Sequence, residues 1–214
     1  MSKFDSVHNN YKGSFSRNAN KKWNIKYDTS RSGKIYSELY ELIACRVSKS
    51  TGNGQILIIG ESKQSVIENV IYPMIRMFST DSVSIISEDK GTVNILDKLV
   101  RILSIDEVSE SSTMLNDLEY VYGDGICDWN EQSFNILRNS LNNSNGIFDG
   151  VCFSIINKPW LIEFIDTEPD LYAESCTIYD SSVLNKANPA TRRNLSFTNN
   201  EYYRYIMGDW WKYY

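Results

Sequence analysis

Nowhere does this chain hold an apolar run approaching the ~20 residues needed to cross a bilayer. Its opening "MSKFDSVHNN" has no hydrophobic segment of the signal-peptide kind. The expectation is a cytoplasmic protein with no membrane partner. Cysteine is sparse: Cys45, Cys127, Cys152 and Cys176 are scattered with no C-x-x-C pair, and three of them sit among apolar neighbours. That pattern excludes a disulfide framework and a thiolate zinc site, leaves buried thiols, and predicts no metal centre. There is a single histidine, His8, so a Ser-His catalytic pair would require the N-terminal arm to reach the rest of the chain. Both G-x-x-x-x-G-K-[ST] and G-x-G-x-x-G are absent.

What is present is unevenly charged. The net charge is −5, yet residues 1–31 carry Lys3, Lys12, Arg17, Lys21, Lys22, Lys26 and Arg31 against Asp5 and Asp28. The remainder is acidic by about ten charges, which argues against a broad nucleic-acid-binding face. Phe4, Tyr11, Phe15, Trp23 and Tyr27 are interleaved with those cations. Such a mixture can stack on bases and neutralise phosphates, or pack on the domain as a lid. Residues 1–33 are accordingly read as a basic aromatic arm or lid, and 34–214 as one α/β domain.

Periodicity supports that class. Leu39, Leu42, Ile43 and Val47 recur at helical spacing and predict a helix over 34–48. "KSTGNGQ" stops it, and "QILII" is a first strand at 55–59. Val66, Ile67, Val70, Ile71, Met74, Ile75 and Phe78 continue a helix that Pro73 should kink or split. "DSVSIISED" is a second strand. "GTVNILDKLVRIL" places Val93, Leu96, Leu99, Val100 and Leu103 on one face of a crossover helix. "LEYVYGDG" is a third strand, "NEQSFNILRNSL" a helix, and "IFDGVCFSII" a fourth strand. Strands alternating with helices predict a Rossmann-like, mostly parallel sheet with helices on both faces. The aromatic end "SFTNNEYYRYIMGDWWKYY" is read as the core of a C-terminal antiparallel hairpin, with a substrate cap or a homodimer surface as its alternatives.

The stretch "GQILIIGESKQS", residues 54–65, delivers a buried strand to a loop with one glycine, Gly60. Side chains at Glu61, Ser62 and Lys63 would hinder close approach of a phosphate, and Glu61 would repel it. Ser62 as an esterase-type nucleophile lacks a nearby histidine. An acid here suits a cationic or uncharged ligand.

In these features the chain resembles the class I S-adenosylmethionine-dependent methyltransferases. The resemblance runs over about residues 34–156 and rests on the loop "ILIIGES", acids after the second strand, "GD" after the third and "FDGV" opening the fourth. "FDSVHNNY" near the start is similar to the N-terminal segment of small-molecule members. It implies S-adenosylmethionine held by Gly60, Glu61, Ser62, Glu88, Asp89, Gly123 and Asp124. It also implies a small-molecule or nucleic-acid methyl acceptor. "NKPW" is similar to the [DN]-P-P-[YFW] turn of amino-methylating enzymes, which makes Asn157 and Trp160 substrate-binding candidates, with Lys158 replacing the first proline. Asp128 and Trp129 could line the mouth of that pocket. The departures are Ile58 at the family's usual acidic position and Ser62 and Gln64 in place of further glycines; only about 58 residues follow the fourth strand. No catalytic residue is assigned, since methyl transfer depends chiefly on positioning. The alternative is a non-catalytic Rossmann-like binding or scaffold protein that has lost cofactor use.

Overall fold

Ile56 to Gly60 are buried without a break, as a strand covered on both faces must be. They belong to β2 (Gln55–Gly60). The structure, a computed structural model, describes residues 21–27, 33–110, 115–152 and 158–175. The other strands are β1 (Trp23–Tyr27), β3 (Val83–Ser87), β4 (Thr92–Ile95), β5 (Lys98–Ser104), β6 (Leu118–Gly123), β7 (Ile147–Cys152) and β8 (Leu171–Ser175). The helices are α1 (Gly33–Lys49), α2 (Lys63–Val66), α3 (Tyr72–Phe78), α4 (Ile105–Glu110), α5 (Glu131–Asn142) and α6 (Pro159–Thr167). Among the described residues none is long and apolar enough to cross a membrane.

The strands form one sheet in the order β3-β4-β5-β2-β6-β7-β1-β8, parallel from β5 to β8. Alternation along each strand sends side chains to two cores. Leu57, Ile59, Val121, Phe148, Trp23 and Ile25 face α4, α5 and α6. Ile56, Ile58, Ile102, Tyr120, Tyr122 and Val151 face α1, α2 and α3. The α/β class with helices on both faces is thus the observed architecture. Trp23–Tyr27, read from sequence as part of an arm, form a strand between β7 and β8. Residues 1–20 and 176–214, with the expected C-terminal hairpin, lie outside the described residues.

The segment 92–103 corrects an expectation. It is not a crossover helix but the hairpin β4–β5, antiparallel like the β3–β4 pair beside it. Val93, Ile95, Val100 and Ile102 are buried, whereas Leu99, expected on the buried helical face, is 63% exposed. The two-residue turn, Leu96-Asp97, has φ of 52° and 62°, a conformation that usually calls for Asn or Gly. Leucine there supplies no turn signal, and the helical period won by default.

Pro73 does split its helix. α2 and α3 are joined by a wider π turn, Ile67–Ile71, and Pro73 is the second residue of α3. A proline has no N–H for the carbonyl four residues back, here Asn69. The Tyr40 hydroxyl of α1 donates to that carbonyl at 2.7 Å. The break in one helix is therefore satisfied by its neighbour.

α1 is fixed at its far end by two acids. The Asp149 carboxylate, fully buried in β7, accepts from Arg46 Nε at 2.9 Å and from Asn24 Nδ2 of β1 at 2.9 Å. Burial pushes its pKa up, and Arg46, Tyr120 and Asn24 pull it back. After α1, Glu119 of β6 accepts from the Ser50 hydroxyl at 2.8 Å and from the backbone N–H groups of Thr51, Gly52 and Gly54. Burial works against its charge, but those donors hold the carboxyl below the usual range.

Candidate functional site at the sheet's carboxyl edge

Ligands of open α/β sheets bind where adjacent strands send their following helices to opposite faces. Two such crevices are relevant here. β2 leads to α2 on one face and β6 to α5 on the other. Similarly, β7 leads to α6 and β1 to α1, again on opposite faces.

The first crevice gathers five of the sequence-predicted residues: Gly60, Glu61 and Ser62 after β2, with Gly123 and Asp124 after β6. The backbone N–H of Asp124 donates to the Ile59 carbonyl at 2.8 Å, which ties the two strand ends together. Gly60 is required for close packing, since a Cβ there would lie 2.6 Å from Val66 Cγ2. A Cβ on Gly123 would meet Phe148 and Trp129, each at 2.8 Å. Glu61 is exposed. Ser62 is the N-cap of α2: its hydroxyl accepts from Ser65 N–H at 3.0 Å, and the Ser65 hydroxyl accepts from Ser62 N–H at 3.1 Å. Its polar groups are therefore engaged in starting a helix. Ser62→Ala should lower stability by about 1 kcal/mol, as loss of a cap does, and leave ligand binding unchanged; urea melts and a nucleotide titration check both halves.

Asp124 is 8% exposed, and burial followed by the charge of Asp128 pushes its pKa up to about 6. Trp129, expected at a pocket mouth, is instead fully buried, with its indole N–H donating to the Asp124 carbonyl at 3.2 Å. Asp128 is exposed.

The other predicted residues are not brought here. Glu88 and Asp89 follow β3, three strands from β2, a lateral separation of about 14 Å at ordinary strand spacing. The exposed Tyr72 hydroxyl donates to Glu88 at 3.2 Å. The neighbour of β2 on that side is β5, and its final residue, Ser104, gives its N–H to Glu107 at 2.8 Å. Trp160 belongs to α6 and packs on Phe134, ring centroids 4.9 Å apart, in the α4–α5–α6 core. Asn157 lies outside the described residues. Among the described residues, one hollow of about 620 Å³ runs from Thr51 to Asn145 at the opposite, amino end of the strands.

The second crevice holds what the sequence reading missed. β1 passes through five residues, 28–32, into α1, which opens with Gly33 and Lys34. The sequence across the junction is Asp28-Thr29-Ser30-Arg31-Ser32-Gly33-Lys34-Ile35. It departs from G-x-x-x-x-G-K-[ST] at its first and last positions only. A pattern search that demands all four fixed residues rejects it. The available signal was Gly-Lys at the start of a helical period just after "WNIKY", a run read as part of an arm.

Neither a protein-family model nor a curated protein matches this chain. Solved structures do. The large terminase of a thermophilic bacteriophage in complex with ADP is 19% identical, with a TM-score of 0.65, over 98% of this chain and 53% of that one. The Thermus phage P74-26 large terminase ATPase domain is 13% identical, TM-score 0.67, over 97% of each chain. The UvsW helicase of bacteriophage T4 is 15% identical, TM-score 0.52, over 80% and 66%. The chain thus spans about half the length of the ADP-bound terminase. These neighbours overturn the methyltransferase resemblance, and with it S-adenosylmethionine as cofactor and the transferase activity. They lend no support to a scaffold that has lost its ligand either. The acid-rich loops misled because acids at strand ends accompany any ligand crevice of this architecture. In fold, the chain is similar to the ATPase domains of large terminases.

Proposed function

We propose that this chain binds a nucleoside triphosphate at the β1–α1 junction and hydrolyses it, as an ATPase domain of the terminase kind. The observation that carries the reading is the junction itself. A strand with parallel partners on both sides steps through five residues into a helix that begins Gly33-Lys34. The first N–H groups of a helix have no partner within it, and its dipole favours an anion there. α1 is 17 residues long and carries no acid in its first turn. Lys34 adds a positive charge, and Ser30 and Ser32 add small hydroxyl-bearing residues to the loop.

The two departures weaken this cradle without removing it. Asp28 brings a carboxylate where glycine usually permits close approach. Ile35 has no hydroxyl for the divalent cation that accompanies a triphosphate. The divalent cation is taken to enter with the triphosphate, as part of the substrate. Calorimetric titration of the chain with ATP and ADP tests the reading, with phosphate release followed in parallel. Saturable binding with one site per chain and release of phosphate from ATP are expected. No heat and no phosphate at millimolar nucleotide would sink it.

A further inference from the structure

We infer that the groove between α5 and α6 is a docking site for an arginine side chain of a partner protein. Each helix lines it with residues of one face. Glu131, Phe134 and Arg138 stand at i, i+3 and i+7 along α5, and Trp160, Glu163 and Phe164 at i, i+3 and i+4 along α6. Phe134 and Phe164 are buried and meet edge to face, centroids 4.9 Å apart. Trp160 is only half-buried and leans on Phe134 with the two planes at 40°. Glu131 and Glu163 are exposed. None of these six residues was among those gathered at the two crevices.

The groove already seats one cation with parts of this kind. Arg138 places its Cζ 4.8 Å from the centre of the Phe164 ring and donates from Nη2 to Glu168 at 2.7 Å. A guanidinium over an aromatic face, closed by a carboxylate, is favourable where water is partly excluded. Trp160 with Glu131 and Glu163 repeats those parts in the same groove, and an indole holds a cation better than a phenyl ring. Arg138 does not serve this second set, because it is committed to Glu168. Among the described residues no cation pairs with Glu131 or Glu163.

Size and charge select the occupant. The hollow measures about 140 Å³, well under the ~300–1,000 Å³ of small-molecule sites, so it takes one side chain of something larger. Two exposed carboxylates repel a nucleic-acid backbone and attract a basic protein segment. Arginine suits the groove better than lysine. Its flat group stacks on an indole and its fork of N–H donors reaches two carboxylates, whereas an ammonium is a compact, strongly hydrated charge. Tryptophan and arginine are also the side chains that most often anchor protein interfaces. Recognition of this kind needs no nucleotide.

The test is a magnetic-resonance titration of the isotope-labelled full chain with N-acetylarginine methylamide, following the Trp160 indole N–H. Trp160→Phe identifies that resonance by its loss. A saturable shift is expected at millimolar probe, with the matching lysine compound weaker and the matching glutamine compound without effect. Glu131→Gln combined with Glu163→Gln should weaken arginine binding roughly 3- to 30-fold, the range of two partly exposed ion pairs. Both positions are exposed, so that double variant should melt as wild type does. An arginine probe that leaves the indole unmoved overturns the assignment, as does binding undiminished in the double variant. A lysine or glutamine compound that binds as tightly as the arginine probe also overturns it. A resonance that moves with protein concentration alone gives the groove to a second copy of this chain. One that moves, with no probe present, when Lys3→Gln, Lys12→Gln and Arg17→Gln are combined gives it to the chain's own amino-terminal residues. Either result removes the partner protein.

Discussion

Arg46→Ala is expected to cost the fold about 3–5 kcal/mol, the range for removing one partner of a buried ion pair. Asp149 is wholly inaccessible, and in the wild type Arg46 covers it with Nε at 2.9 Å and Nη2 at 3.4 Å. Without the guanidinium, only Asn24 and Tyr120 remain to hold the charge. The loss should depend on pH with a definite sign. A carboxyl whose folded pKa is raised favours the folded state at low pH, where it is protonated in both states, and loses that support as pH rises through the folded value. Burial already raises Asp149, and deleting Arg46 raises it further. The deficit of the variant relative to wild type should therefore be smaller at pH 5 than at pH 7.5 in paired urea melts. A deficit that grows in acid would mean that Asp149 is not the group left exposed to the loss. Arg46→Met with Asp149→Asn should recover most of the stability, because an uncharged pair needs no counterion.

Lys34→Ala should lower ATP affinity by roughly 10–100-fold, which is the 1.5–3 kcal/mol of a hydrogen bond to a charged group. The fold should be untouched, since the helix keeps its other residues and alanine is the best helix former. ADP affinity should fall by less if Lys34 acts mainly on the terminal phosphate. Raising ionic strength should narrow the gap between variant and wild type, because salt screens the attraction between lysine and phosphate. A variant that binds ATP as tightly as wild type would place the phosphates elsewhere on the edge and end the proposed role of the β1–α1 junction. These two substitutions separate cleanly: one tests the far end of α1 by stability, the other its near end by binding.

How much of this was legible in the residues depended on whether a local signal agreed with the tertiary one. The buried run Ile56–Ile59, the amphipathic α1 and α5, and the break at Pro73 all carried their period or their chemistry openly. The β4–β5 hairpin did not. Its turn uses Leu96 in a left-handed conformation, and leucine gives no warning of one. At the first crevice, Gly60 and Asp124 drew notice because glycine and acid at strand ends are conspicuous. Yet the ligand class inferred from them was wrong, since phosphate binding was weighed at β2 and dismissed on Glu61. The β1–α1 junction stayed hidden for a different reason. Five residues, "WNIKY", with no hydrophobic run, do not look like a strand that both neighbours bury. Trp23 and Ile25 supply one face, while the other is filled by Asn24 and Lys26, polar residues with almost no exposure. Only tertiary pairing reveals that these are interior positions.

The place of β1 in the sheet also sets an order of assembly. Its partners are residues 147–152 and 171–175, so Trp23 must wait for Phe148 and Leu171. The strands from β2 to β7 can pair among themselves through connections that are short by comparison. Among the described strands, the first in sequence is thus the one whose closure spans the longest loops. The entropy of such closure grows only with the logarithm of loop length, so it costs the finished fold little, but contacts of this separation form late. A chain stopped short of residue 147 would hold neither partner, and Trp23 and Ile25 would have no strand beside them. The β1–α1 junction would then be the last part of the described sheet to form, completed only when its two ends meet.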